Sequence, residues 1–147
     1  MDASSATVSS PQRQWLSRTL KSPQRQSDDL CLVVGHLPIT AFSQGRARAG
    51  ECIFNAASLA AELREAGVDL VISGHHHAWY PAEALGLRLL SLGAMGSGPR
   101  RLIGSSVTSP ASLTLLDWSP SDQSVSERTL NLNSFSEMQI DLLPTTI

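Results

Sequence analysis

Two short apolar runs organise this chain. "LCLVVG", residues 30–35, is continuously apolar and β-branched at its end, the pattern of a strand buried on both faces in a parallel sheet, and "VDLVIS", residues 68–73, reads as a second buried strand. Between them, "NAASLAAELREAG" sets Leu59 and Leu63 one turn apart, with Asn55 as N-cap and Gly67 at C′, which predicts a helix. Strand, helix and strand in that order predict a right-handed βαβ unit with parallel strands. Upstream, "SPQRQWLSRTLKS" predicts a helix over 11–21. Ser10 serves as N-cap, Pro11 as first helical residue, and Trp15, Leu16, Thr19 and Leu20 form its apolar face. Residues 1–10 are small and polar and read as disordered. Downstream, residues 87–93 and 112–118 read as strands. The second of these and "QSVSERTLNL" flank a "SPSD" turn and predict an antiparallel hairpin. "GAMGSGPRRLIGSS" reads as a glycine-rich loop, and "MQIDLLPTTI" as an edge strand ended by Pro144.

Composition narrows the class without naming the chemistry. The chain has 147 residues, enough for one domain, and no linker divides it. Net charge is −2 and no basic stripe stands out, so a nucleic-acid partner is disfavoured. No apolar run approaches the ~20 residues of a membrane span. "MDASSATVSSPQRQ" lacks the layout of a signal peptide, so a true start at Met1 implies a cytoplasmic protein and a start further upstream leaves export open. Cys31 and Cys52 form no CxxC pair, and Cys31 reads as a buried reduced thiol.

The chemistry lies in the four histidines. His36 directly follows the first strand, and "SGHHHAWYP" brings His75, His76 and His77 after the second. Sites in open α/β sheets lie beyond the carboxyl ends of strands, so both regions converge on one edge. In extended chain, residues two apart share a side. His75 and His77 are then expected to face the site, while His76 turns away as a bystander towards solvent or substrate. Neutral imidazoles ligate Zn, Fe, Mn or Ni. A lone buried histidine is more often a hydrogen-bonded core residue, and it is the convergence of three that favours a metal site at His36, His75 and His77. Arg100 is a candidate phosphate contact, because a guanidinium meets phosphate bidentately. Arg46, Arg48 and Arg101 share that reading, with a solvated loop as the plain alternative. Trp79 and Tyr80 either line a pocket or cover the core.

At these residues the sequence resembles the calcineurin-like metallophosphoesterases, in particular bacterial members related to the purple acid phosphatases. The resemblance is carried by "VVGHLP", "GVDLVISGHHHAWYP", the helix "QRQWLSRTL" and "LLSLGAMGSGPR", over roughly residues 11–104. It implies an α/β (α+β) fold: a partial αββα sandwich, with a mixed sheet holding one parallel βαβ unit and a C-terminal antiparallel hairpin. Residues 11–147 would form the C-terminal half of such a domain. It further implies hydrolysis of phosphate mono- or diesters by a metal-activated hydroxide. Two transition metals (Zn, Fe or Mn) are expected, His36 and His75 binding one and His77 the other.

The family's D-x-H, G-D-x-x-D and G-N-H-D/E motifs do not occur here. They supply the bridging carboxylate and the proton donor. Two dications about 4 Å apart need an anionic bridge to offset their repulsion. The chain is therefore expected to be incomplete as a catalyst and to need a segment carrying those motifs. One alternative is a non-catalytic remnant or regulatory module with at most one metal. Another is a mononuclear three-histidine zinc hydrolase.

Overall fold

A computed structural model describes residues 1–96 and 98–145. Helix α1 spans Ser10–Leu20, strand β1 Leu32–Gly35, helix α2 Ala56–Glu65 and strand β2 Leu70–Ser73. Strands β3 (Tyr80–Ala84) and β4 (Leu87–Ser91) follow, then β5 (Ser112–Ser119) and β6 (Ser124–Asn131). The first four strands form one mixed sheet in the order β1-β2-β4-β3, and β5-β6 form a separate antiparallel pair.

The βαβ unit is present: β1 pairs parallel to β2 with Leu32 opposite Leu70 and Gly35 opposite Ser73. Its helix buries Leu59, Ala60 and Leu63, and Gly67 at C′ takes the left-handed φ of +65°. Asn55 caps otherwise than expected. It is itself left-handed, its side chain makes no capping bond, and its carbonyl accepts the amides of Ser58 and Leu59. Asparagine tolerates that conformation. At α1 the N-cap is Ser9, one residue earlier than expected. Leu16 is the one buried residue of this helix, whereas Trp15 is half exposed. Arg13 ties α1 to α2 by donating to Glu62 and, at 2.7 Å, to the Ser58 hydroxyl.

The two faces of the mixed sheet are covered differently. Val33, Val71 and Leu89 join Leu16, Leu59 and Leu63 in the helix-side core. On the other face, Leu70, Ile72 and Leu90 surround Trp79 and meet Leu116 of β5 and Met138. This gives three layers, helices on sheet on hairpin, consistent with a partial metallophosphoesterase fold. The expectation that residues 30–35 are buried on both faces fails, because Leu32 and Val34 are 37% and 54% exposed. β1 is an edge strand, and the apolar cluster on that face gathers over β2 and β4 instead.

Three further segments depart from the sequence reading. Met1 and Ala3, in the stretch that reads as disordered, are seated on the edge of β1. The Met1 ammonium donates to the Val34 carbonyl at 3.0 Å, Leu37 N–H donates to the Ala3 carbonyl, and Ala3 and Val8 are buried. The unpaired edge of β1 is what they satisfy. Gly35 permits that approach, since a Cβ there would lie 3.2 Å from the Ala3 Cβ. Strand β3 has no clear strand pattern in the sequence, because Pro81 weakens it; it lies at the other edge, where proline is tolerated. Leu85 and Gly86, both at positive φ, make the two-residue turn into β4. Finally, among its described residues the tail adds no edge strand. Ile140–Leu142 is a 3-10 turn, only an isolated Leu130–Glu137 bridge reaches β6, and residues 146–147 lie outside the described residues.

Burial separates the two faces energetically. Leu63→Ala, at a fully buried position, is expected to cost about 2–5 kcal/mol in urea denaturation. Leu32→Ala on the open face of β1 should cost less than about 1 kcal/mol.

Candidate metal centre

The parallel register decides where the histidines stand. Gly35 opposite Ser73 puts His36 beside Gly74, whose amide donates to the His36 carbonyl at 3.1 Å. His36 Nε2 and His75 Nδ1 then face each other at 3.0 Å, with ring centroids 4.8 Å apart. The expected extended run does not follow. His75 and His77 are both left-handed, at φ 60° and 50°, and the His76 amide turns back to the Gly74 carbonyl. Such backbone costs of order 1–3 kcal/mol per residue and persists only where surroundings hold it. Gly74 has ordinary φ and open space around it, so it is not needed for side-chain clearance.

Consecutive histidines therefore point three ways. His75 faces His36 on one side and Glu51 on the other, its Nε2 lying 2.5 Å from Glu51 Oε2. His77 Nδ1 donates to the Gly98 carbonyl at 3.2 Å, which leaves Nε2 as its lone-pair nitrogen. No hydrogen bond or ring contact among the described residues joins His77 to the His36–His75 pair. His76 is not a solvent-facing bystander. It is fully buried, and its Nδ1 accepts the amides of Phe42 and Ser43 at 3.0 and 3.1 Å. Its Nε2 consequently carries the proton and donates to the Glu51 carbonyl at 3.1 Å. One ring thus fastens both ends of the 42–51 loop to the exit of β2.

Glu51 is the residue that the sequence reading does not single out. It is buried, and it collects Arg46 Nη1 at 2.7 Å, Arg48 Nη2 at 2.9 Å and His75. The hydrogen bond from His75, then those from Arg46 and Arg48, pull its pKa down to about 2. The available signal was a lone acid three and five residues after two arginines, in the loop that follows His36. Arg46 and Arg48 are thereby engaged as structural partners of Glu51. Partial burial and the charges of His75, His77 and Arg46 lower the pKa of His36, favouring its neutral, ligating form.

Arg100 borders the site through its backbone. Its amide donates to the His77 carbonyl at 3.0 Å and its carbonyl accepts Ser109 N–H. Its guanidinium runs past Gly45, and its buried Nε finds no acceptor among the described residues. Arg101 is exposed, and its carbonyl accepts the Gln44 amide. Trp79 and Tyr80 are buried and belong to the two cores. Ser97, within the glycine-rich loop, lies outside the described residues.

The donor set fits a metal in part. Two imidazole nitrogens 3.0 Å apart suit adjacent positions of one ion with metal–nitrogen bonds of ~2.0–2.1 Å. Among the described residues, no three His, Cys, Asp or Glu side chains are arranged to hold an ion. A family model for the calcineurin-like phosphoesterases matches residues 3–79, ending just past the histidine run. This chain belongs to the calcineurin-like phosphoesterase family. No curated protein matches it.

The clasp at His76 has a pH signature. Burial lowers its pKa below the ordinary value near 6.5, so the unfolded chain takes up that proton first. Stability is then full above about pH 6.5 and is lost as pH falls below it. The urea midpoint is expected to be lower at about pH 5.5 than at about pH 7.5. His76→Leu, which leaves two buried amides unpaired, should cost about 2–4 kcal/mol at neutral pH and show a smaller pH difference.

Proposed function

We propose that this chain carries metal ligands of a phosphoesterase that hydrolyses phosphate mono- or diesters, with His36 and His75 sharing one ion and His77 contacting a second. The facing His36 Nε2 and His75 Nδ1, in a chain of this family, are the observation that carries the reading. Bound Zn, Fe or Mn would supply Lewis acidity towards the phosphoryl oxygens and a nucleophilic water at neutral pH. The chain's own residues hold and orient. His36 and His75 present lone pairs from two strand ends, His77 is fixed by Gly98 with Nε2 available, and Arg100 offers its guanidinium to the phosphate.

A second reading, a non-catalytic binding or regulatory module with at most one metal, has its own support. A completed set of three ligands is absent among the described residues, and Asp69 is engaged with the Cys31 amide. Zinc or manganese uptake by equilibrium dialysis, with hydrolysis of p-nitrophenyl phosphate and its bis ester, separates the two. The phosphoesterase reading expects uptake weakened more than about 10-fold by His36→Ala or His75→Ala, and, once a segment carrying the D-x-H, G-D-x-x-D and G-N-H motifs is supplied, hydrolysis that His77→Ala abolishes. Uptake with no hydrolysis even beside that segment favours the module, and no uptake removes the phosphoesterase reading.

A further inference from the structure

We propose that Glu51 is the positioning residue that fixes the tautomer and direction of His75, aiming its Nδ1 at the ion that the proposed function places beside His36. The proton assignment follows from geometry. A carboxylate offers only lone pairs, so a nitrogen 2.5 Å from Glu51 Oε2 must bear a hydrogen. His75 Nε2 is therefore the donor. Arg46 Nη1 also stands 3.3 Å from that nitrogen, but both are donors converging on the same oxygen, since Arg46 reaches Oε2 at 2.7 Å. In the neutral ring the lone pair then falls on Nδ1, the atom turned to His36 Nε2 at 3.0 Å.

The carboxylate itself has little freedom. Arg48 donates to Oε1 at 3.0 Å while Arg46 holds Oε2. The backbone carbonyl of the same residue is held by His76 at 3.1 Å. Glu51 is thus gripped at its main chain by one histidine while its side chain grips the preceding one. A carboxylate behind a ligating imidazole sets ring orientation and raises ligand basicity, and its loss commonly weakens metal binding about 10- to 100-fold. His77 has an analogous arrangement with a weaker acceptor, the Gly98 carbonyl.

The test is long-range proton–nitrogen NMR of the histidine rings in the full chain, with Glu51→Ala and Glu51→Gln beside it, followed by zinc titration. In the unaltered chain above about pH 8, where free imidazole is neutral, His75 is expected as the Nε2–H tautomer. Glu51→Ala should give a mixture of tautomers and bind zinc about 10- to 100-fold more weakly. Glu51→Gln, which keeps a carbonyl acceptor, should restore part of both. His76 reports on folding, because its partner is the Glu51 main chain and should not change. A His75 Nδ1–H tautomer in the unaltered chain overturns the proposal, whatever the variants do. So does a His75 tautomer that both variants leave unchanged. Absence of zinc uptake by the unaltered chain overturns the metal reading beneath it, while the tautomer result still decides the role of Glu51.

Discussion

The in-step parallel pairing of β1 with β2 is the constraint on which the site depends. Gly35 opposite Ser73 lets both strands end level, so that His36 and Gly74 become neighbours although 38 positions separate them. A shift of one residue would reverse which side chains face the helices and separate the two imidazoles. The hydrophobic alternation guards that register. Val33 and Val71 look into the helix-side core while Leu70 and Ile72 look into the other. Packing on both sides of β2 thus holds the distance between His36 and His75, at a junction that the core makes stiff.

Around that junction, backbone satisfaction and the placing of the imidazoles use the same atoms. The buried ring of His76 answers two amides and one carbonyl of the 42–51 loop, and that carbonyl belongs to the residue whose carboxylate orients His75. Left-handed backbone at His75 and His77 accompanies the bonds that their rings make to Glu51 and to Gly98. The three adjacent histidines therefore make three separate sets of contacts, and the loop after β1 is built into this junction rather than laid over it.

Much of this was legible in the chain. The apolar runs, the helical spacing of Leu59 and Leu63 and the Gly67 stop defined the βαβ unit, because each is a local signal. The pairing of His36 with His75 followed from topology, whereas the left-handed backbone that turns His77 to Gly98 did not. Burial of one strand face did not follow, since exposure of Leu32 and Val34 depends on where the hairpin settles. Strand β3 was hidden by Pro81, whose cost vanishes at an edge. His76 and Glu51 were illegible for a related reason. Apart from Arg46 and Arg48 just before Glu51, the bonds their side chains make span 24 to 34 positions, and no spacing rule announces a ring that bonds main-chain atoms of a distant loop.

The clasp also bears on how this region can vary. Since His76 secures Phe42 and Ser43 at one end and Glu51 at the other, the stretch from Gln44 to Gly50 is a closed loop with fixed feet. Lengthening a closed loop costs little, only about 0.6 kcal/mol for each doubling. Insertions there would leave both strand ends where they are, provided the two arginines still reach Glu51. The rim of the centre can thus diverge in length and sequence while the imidazoles keep their places.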